Sequence, residues 1–302
     1  TSTTRKITKL KLIMNIENLL NQAFKTLTNS NIKNANLDCE ILLSKTINQN
    51  REYIVLNQKE NLDKKYIDVF HSLIERRKKG EPVAYLLNKK EFWKETFYID
   101  KNVLIPRPDT EHIIEEIIRF TQKDSKLHIL DIGTGSGCIA ITLAHHNPNL
   151  MITAIDISPT ALETAKQNAE THNCLGRIEF HESSMLAAVK ERVEGYHLIV
   201  SNPPYVSFQD KAEVEPSVRK YEPSEAVFSG QSGMDAYLQL FDQSEQLLKP
   251  GGWLVLELGV NSLQPVISLG KQKNWELGQV HSDLAGIERC AVFQRYSSDN
   301  TF

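Results

Sequence analysis

The 302-residue chain lacks several features that identify common classes of protein. No apolar run approaches the ~20 residues that a transmembrane helix needs, so a membrane-spanning protein is not predicted. The four cysteines form no Cys-x-x-Cys pair and the nine histidines show no zinc-ligand spacing, which argues against a disulfide framework and a metal site. A net charge of −3 argues against broad nucleic-acid binding, because phosphate contacts need a basic surface.

The composition is that of a soluble globular enzyme, with 40% hydrophobic and 24% charged residues and enough length for two domains. The scattered cysteines indicate a reducing compartment, and the expected localisation is cytoplasmic. Residues 1–13 are basic and contain no acid. They faintly resemble an organelle transit peptide, although a disordered leftover or an upstream extension is the preferred interpretation.

The most informative segment is Asn202-Pro203-Pro204-Tyr205, which follows an apolar run that predicts a buried strand. Each proline lacks an N–H and keeps the preceding residue extended, which leaves the Asn202 side chain and nearby carbonyls free to face a ligand. The Asn202 amide oxygen and the Pro203 carbonyl can each accept one N–H of a planar –NH2 group, and Tyr205 can stack on that group. A turn that only closes the strand is the alternative.

A glycine-rich segment upstream favours the ligand-binding interpretation. The sequence Asp131-Ile132-Gly133-Thr134-Gly135-Ser136-Gly137 lies between two apolar stretches, 127–130 and 138–144, and predicts a strand, a turn and a helix. Such a turn lets the backbone approach a nucleotide-type ligand. The third glycine of a dinucleotide fingerprint would fall at Cys138, so hydride-transfer cofactors are disfavoured.

A second predicted strand, residues 151–156, ends in Asp156 and precedes Ser158 and Pro159, which are typical of a helix start. Asp156 lies roughly 20 residues beyond the glycine turn, where a carboxylate can accept both hydroxyls of a ribose. A solvated or capping aspartate is the alternative. The glycine turn and the Asn202 segment together favour the ribose interpretation.

The combination of DIGTGSG, a strand that ends in Asp156 and NPPY resembles S-adenosylmethionine-dependent methyltransferases that modify planar amino or amide nitrogens. Two further segments, Glu-Phe-Trp at 91–93 and VLIPRPDTE at 103–111, are similar to the linker signature of the release factor glutamine methyltransferases, the HemK/PrmC family. The resemblance continues through 219–223, 232–234, 251–252 and 283–289, and so covers nearly the whole chain from about Met14.

The resemblance implies methyl transfer from S-adenosylmethionine to the side-chain amide of the glutamine in the Gly-Gly-Gln motif of peptide chain release factors. When the family's site residues are carried over to this sequence, the cofactor would contact Asp131, Gly133, Thr134, Gly135, Ser136, Gly137, Asp156, Met185 and Asn202. The substrate would contact Arg107, Glu111, Asn202, Pro203, Pro204 and Tyr205, of which Asn202, Pro203 and Tyr205 would be catalytic. Capping of the following helix is the alternative role for Glu111.

This chain departs from the family pattern at two places. The family usually carries an Asp and then an aromatic residue near the adenine, where this chain has Ser184 and Met185, and Asn88 replaces a common glycine. Release factors are the expected partners. Stable nucleic-acid binding, membrane association and a bound metal are not expected. The protein is expected to be a monomer.

The predicted fold class is α/β: a doubly wound, Rossmann-like class I methyltransferase domain with a small N-terminal helical domain. Apolar residues at three- and four-residue steps predict helices near 16–27 and 66–74, the second ending in the basic run 76–79 before Gly80. The expected domains are a substrate-recognition domain over 14–87, a β-containing linker over 88–103 and the methyltransferase domain over 104–302. The last strands are predicted near 253–258, 275–282 and 290–295.

Two other functions remain open. The first is a DNA adenine amino-methyltransferase, since the N6 amine of adenine presents the same two N–H groups to NPPY. Such an enzyme must flip its base and grip a duplex, usually through a basic domain that the N-terminal helices do not resemble. A non-catalytic S-adenosylmethionine-binding adaptor is the other alternative. Asn202 and Tyr205 argue against it, because an adaptor has no need to hold an amine.

Overall fold

The computed structural model describes residues 14–121, 126–183 and 195–295. The described residues divide into two compact units, one ending at Leu87 and the other beginning at Asn88. Segment 1–13 and the pair Ser184 and Met185 lie outside the described residues, so the predictions made for them have no structural counterpart here. Within the described ranges, no helix is long and apolar enough to cross a membrane.

The first unit is helical, with one short antiparallel strand pair. Its elements are β1 (Met14–Asn15), α1 (Ile16–Thr28), α2 (Ala35–Ile47), α3 (Arg51–Leu56), β2 (Asn61–Leu62), α4 (Lys64–Lys78) and α5 (Val83–Leu87). The side chain of Asn15 caps α1 by accepting from the Asn18 N–H. Most residues of the apolar stripes of α1 and α4, including Leu19 and Phe70, are buried in one core, whereas Phe24 and Val69 are exposed. The two helices predicted from residue spacing are confirmed.

The basic end of α4 is held by contacts within its own unit. Arg77 Nε lies 2.7 Å from Asp38 Oδ2, and Arg76 pairs with Glu81. Gly80 follows the helix with a φ of +92°, and its N–H donates to the Arg77 carbonyl. Positive charge and a left-handed glycine are both favoured at a helix C-terminus, so the basic run 76–79 has a structural role at the end of α4.

The second unit contains a seven-stranded, mostly parallel sheet and a separate hairpin. Its strands are β3 (Lys90–Phe92), β4 (Glu95–Phe97), β5 (His128–Ile132), β6 (Met151–Asp156), β7 (Ile178–Glu182), β8 (Tyr196–Ser201), β9 (Leu248–Glu257), β10 (Trp275–Ser282) and β11 (Glu288–Arg295). Its helices are α6 (Glu111–Phe120), α7 (Cys138–His146), α8 (Pro159–Thr171), α9 (Pro216–Tyr221), α10 (Asp235–Ser244) and α11 (Leu263–Gln272).

The strand order β10-β11-β9-β8-β5-β6-β7 confirms the doubly wound fold class. β5 pairs in parallel with β6 on one side and β8 on the other, so the chain reverses its winding direction at β5. Ligands of such sheets bind at the carboxyl ends of the strands where the order reverses. The segments that follow β5, β6 and β8 therefore meet at one edge of the sheet.

Most predicted strands are confirmed, although β9 and β11 differ in extent, and β11 begins at Glu288 rather than near residue 290. β9 begins at Leu248, earlier than predicted, because the strand continues through Gly251 and Gly252 before its buried half. Antiparallel pairing with β11 and parallel pairing with β8 hold that buried half on both sides. The segment 88–103, expected to be a linker, contains the β3–β4 hairpin and lies in the second unit.

An aromatic cluster fixes one face of this sheet. Trp275 is buried and donates from Nε1 to the Phe241 carbonyl at 3.1 Å. Phe241 also meets Phe293 edge to face, with ring centroids 5.0 Å apart. Buried aromatic contacts of this kind favour one arrangement of α10 against β10 and β11.

Candidate functional site

One cavity of about 740 Å³ lies at the carboxyl ends of β5, β6 and β8. Gly133, Thr134, Gly135 and Ser136 line it from the turn after β5, and Asp156 lines it from the end of β6. Asn202-Pro203-Pro204 forms another wall, together with parts of segment 102–106 and α10. The tertiary structure therefore joins the three sequence features that independently predicted a ligand site.

The glycine turn has a backbone that other residues adopt at a cost. Gly133, Gly135 and Gly137 have φ values of +73°, +56° and +80°. Gly137 is also crowded, because a Cβ there would lie 3.2 Å from the Ala165 Cβ, where α7 approaches α8. The turn leaves the N-terminus of α7 beside the cavity.

Asp156 is held by the backbone on both sides. Its Oδ2 accepts from the Gly135 N–H and its Oδ1 from the Ser158 N–H, each at 2.9 Å. Ser158 Oγ in turn accepts from the Ala161 N–H and caps α8, which confirms the predicted helix start. A carboxylate has about four acceptor positions, so both Asp156 oxygens can still accept a hydroxyl.

Asp131 lies beneath the turn and does not line the cavity. Its Oδ2 accepts from Thr134 Oγ at 2.7 Å, which fixes the turn from below. Burial raises the pKa of Asp131 to about 7, with a smaller rise from the nearby Asp156 charge and an opposing effect of the Thr134 hydrogen bond. Direct contact between Asp131 and a cofactor stays a prediction.

Asp131→Asn should make stability less dependent on pH. The folded form keeps the Asp131 proton up to about pH 7, whereas its ordinary pKa is 3.8, so wild-type stability falls as pH rises through this interval. The variant lacks that loss. The unfolding temperature of the variant minus that of wild type should therefore increase by several degrees between pH 3.8 and about pH 7. A free energy of 1 kcal/mol corresponds to about 2–4 °C in a domain of this size. Calorimetry at several pH values would contradict this if the difference were constant.

Asn202 has a defined side-chain orientation. Its Nδ2 donates to Thr110 Oγ at 3.1 Å, and its Oδ1 has no hydrogen bond among the residues that the structure describes. The preceding Ser201 donates from Oγ to the Ile132 carbonyl at 2.8 Å and ties the end of β8 to β5. An amide oxygen at the cavity wall can therefore accept an N–H from a ligand.

Tyr205 faces a neighbouring pocket of about 120 Å³ rather than the large cavity. Asn202, Pro203 and Pro204 line both spaces. The Tyr205 ring packs closely on Gly259, where a Cβ would lie 2.8 Å from the ring. Burial raises its pKa above the ordinary value, so the hydroxyl stays neutral. The ring is thus held by the protein, and its stacking on a substrate stays a prediction.

The two linker residues predicted to contact substrate have partners within the chain. Arg107 pairs with the buried Glu222 at 2.6 Å and lines the smaller pocket. Glu111 Oε1 accepts from the Trp93 N–H at 2.7 Å, and Trp93 has a left-handed φ of +56° in the turn between β3 and β4. Glu111 thus stabilises a strained turn, a role that the sequence did not suggest. Substrate contact by either residue stays a prediction.

Two buried polar residues near Asn202 were not predicted from the sequence. Thr110 and Glu257 are 2% and 1% exposed, although both are polar. Burial raises the pKa of Glu257 to about 7, and a hydrogen bond from the Thr110 side chain partly opposes this rise. Glu257 ends β9, so an acid at the end of an apolar strand was the available signal. The proximity of Glu257 to Thr110 could not be predicted, because the two residues are far apart in the sequence.

Side chains of the types that bind metals also meet on the second unit. Glu95 pairs with His145 and His172, and Glu115 pairs with His281 near His112. These residues do not line the large cavity. They come from separate elements, which explains why no ligand spacing was visible in the sequence. The expectation that the protein binds no metal stays a prediction.

Two family models match this chain. Residues 18–87 match the PrmC N-terminal domain, and residues 115–219 match the Methyltransferase small domain. The first match falls on the helical unit and the second on the sheet that carries the cavity.

Curated relatives match over most of the chain. It is 36% identical, over 94% of its length, to the release factor glutamine methyltransferase of Koribacter versatilis, of which it covers 100%. Identity to the enzyme of the same name from Geobacter sulfurreducens is 35%, over 92% of this chain and 95% of that one. Among solved structures, the hMettl16 catalytic domain in complex with a MAT2A 3'UTR hairpin has a TM-score of 0.52 at 18% identity, covering 67% of this chain and 76% of that one. That likeness shows the fold alone.

Proposed function

This chain belongs to the release factor glutamine methyltransferase family, and we propose that it transfers a methyl group from S-adenosylmethionine to the side-chain amide nitrogen of the glutamine in the Gly-Gly-Gln motif of a peptide chain release factor. The observation that carries this proposal is that the glycine turn, Asp156 and Asn202 line one cavity. It has a glycine turn with a carboxylate at one side and the Asn202 amide at the other. The glycine turn and the carboxylate suit a nucleoside, and the Asn202 side suits a planar amide.

The residues that line the cavity fit S-adenosylmethionine. The Asp156 carboxylate is held in place by two N–H groups yet has free acceptor positions for the two ribose hydroxyls. Gly133 to Ser136 would border the methionine part, beside the N-terminus of α7. Bound there, the cofactor supplies a methyl group on a positively charged sulfur.

The protein's own contribution is orientation. A glutamine amide nitrogen is a poor nucleophile because its lone pair is delocalised. Asn202 Oδ1 and the Pro203 carbonyl would each accept one N–H of that amide, which fixes the nitrogen and turns its remaining face toward the cavity. Orientation of this kind can lower a barrier by about 7–11 kcal/mol.

The helical unit ending at Leu87 supports a protein substrate rather than a duplex. Several of its charged side chains are paired, as in the contacts of Lys59 with Glu17 and of Arg51 with Glu40. A recognition domain for DNA instead needs a basic surface. We therefore propose that this unit helps to select the release factor.

Methyl-labelled S-adenosylmethionine tests this function directly. The purified chain is incubated with a release factor, with the same factor carrying Ala in place of the loop Gln, and with unmethylated duplex DNA. Label is expected on the intact factor alone. Label on DNA would replace the proposal with adenine methylation, and bound cofactor with no label on any substrate would favour a non-catalytic adaptor.

A further inference from the structure

Three side chains of types that bind metals meet where β4 approaches the C-terminal ends of α7 and α8. They are Glu95 on β4, His145 in the last turn of α7 and His172 directly after α8. One donor atom from each residue lies within 4.8 Å of the donor atoms of the other two. The Glu95 carboxylate faces both rings, because Oε1 contacts His145 Nδ1 and Oε2 lies 3.5 Å from His172 Nδ1.

Two backbone carbonyls determine which ring nitrogen carries the proton in each histidine. His145 Nε2 lies 2.7 Å from the His172 carbonyl oxygen, and His172 Nε2 lies 3.0 Å from the Thr96 carbonyl oxygen. A carbonyl oxygen only accepts hydrogen bonds, so both Nε2 atoms must donate. In a neutral imidazole the other nitrogen then has a lone pair and no proton. Both Nδ1 lone pairs therefore face the Glu95 carboxylate.

The rings and the carboxylate have no proton to share in this arrangement. Glu95 Oε2 is buried and has no hydrogen-bond partner among the residues that the structure describes. Acceptor groups that face one another out of water are unfavourable unless a donor or a positive charge lies between them. Histidines that bind metals almost always donate their other N–H to a carbonyl or a carboxylate, as both of these histidines do. The hydrogen bonds around the cluster are therefore those of a metal site.

The helix ends favour positive charge at the same place. α7 and α8 both end at the cluster, and a helix C-terminus carries the equivalent of roughly half a negative charge. Arg177 donates to the Ala144 carbonyl at the end of α7, which shows that a cation is favoured at this helix end. The electrostatic field of the two helices and the carboxylate thus favours a cation between Glu95 and the two histidines.

We propose that Glu95, His145 and His172 bind a divalent transition-metal ion such as Zn²⁺ through the carboxylate and the two Nδ1 atoms. Two imidazole nitrogens suit Zn²⁺, whereas Mg²⁺ and Ca²⁺ prefer oxygen ligands. Zinc ligands at about 2.0–2.2 Å lie about 3.5 Å from one another, so small side-chain rotations bring the three donors into range. His145 is exposed, so water can reach the fourth position. The proposal does not depend on the function proposed above, and it replaces the expectation from residue spacing that no metal is bound.

A metal at this place would connect the β3–β4 hairpin to the two helices beside the cofactor cavity. α7 begins after the glycine turn, and α8 begins shortly after Asp156. Asn168 of α8 already joins these parts, because its Nδ2 donates to the Ser136 and Tyr98 carbonyls, each at 2.9 Å. The metal would add a second connection among the same segments. We therefore expect it to stabilise the folded second unit.

Zinc titration of the full chain tests the site. The protein is purified without a polyhistidine tag, treated with a chelator and titrated with ZnCl2 at pH 8. We expect calorimetry to show a tight site, and at a zinc concentration of 100 times Kd the unfolding temperature should rise by about 5–10 °C. MgCl2 and CaCl2 should have neither effect.

His145→Ala removes one ligand from an exposed position. Zinc affinity should fall by about 100-fold or more, since loss of a group that only supports a ligand already costs about 10–100-fold. His146→Ala is the matched control, because His146 follows His145 on α7 and belongs to neither group of possible metal ligands among the described residues. The zinc affinity of His146→Ala should equal that of wild type.

Glu95→Gln distinguishes a metal site from a carboxylate paired with protonated histidines. Its side-chain amide can donate an N–H to an Nδ1 lone pair, so the metal-free variant should unfold at or above the temperature of metal-free wild type. The zinc concentration used for wild type should raise that temperature by only about 1–2 °C if affinity falls 100-fold. A metal-free variant that unfolds below wild type would show protonated histidines and overturn the proposal.

Two further results would also overturn it. The first is wild-type protein that binds no zinc. The second is zinc binding that survives His145→Ala but is lost in His281→Ala, which would place the metal at the other cluster, formed by His112, Glu115 and His281. Labelling of the release factor by the chelator-treated protein shows separately whether the proposed function holds.

Discussion

Asn202→Ala is expected to reduce release factor methylation by about 100-fold or more, because misplacement of a reacting group by about 1 Å already has an effect of that size. The variant loses the acceptor that would fix the substrate nitrogen. Cofactor affinity should change little, because Asp156 and the glycine turn lie on other strand ends. Single-turnover labelling of the release factor measures the first effect, and titration calorimetry with S-adenosylmethionine measures the second.

Asn149→Ala is a suitable control for this experiment. Asn149 is exposed in the turn before β6, outside the large cavity, so its loss should leave both measurements unchanged. Near-normal turnover of Asn202→Ala would refute the proposed role of the side-chain amide. An equal loss of cofactor affinity would instead assign Asn202 to cofactor binding.

The second large effect is expected for Asp156→Ala, which should weaken S-adenosylmethionine binding by about 100-fold or more. Hydrogen bonds to a charged group contribute about 1.5–3 kcal/mol each, and two ribose hydroxyls would lose their acceptor. The variant also frees the Gly135 and Ser158 N–H groups, which loosens the turn. Calorimetry measures the affinity, and raising the cofactor concentration should recover part of the turnover.

Glu179→Ala is the matched control for Asp156→Ala. Glu179 is an exposed acid on the neighbouring strand β7, and it does not line the large cavity. Its loss should change neither affinity nor turnover. Unaltered cofactor affinity in Asp156→Ala would show that the carboxylate serves only the turn, which was the alternative interpretation of this residue.

Local chemistry explains why much of the fold could be predicted. The strand ending in Asp156 and the helix start at Ser158 and Pro159 depend on residues adjacent in sequence, and the structure has both at the predicted positions. The glycine turn is local as well, because its backbone angles exclude most other residues. The order of strands and helices followed from alternating apolar segments.

The sequence by itself determined the elements, the family and the residues that end three neighbouring strands. Only the tertiary structure decided what those residues face. In the folded chain Glu111 accepts from the Trp93 N–H, Arg107 pairs with Glu222, and Thr110 accepts from Asn202. The physical reason is that a polar side chain, once removed from water, must find its hydrogen bond wherever packing places a partner. That partner can lie more than a hundred residues away, and residue spacing carries no record of it.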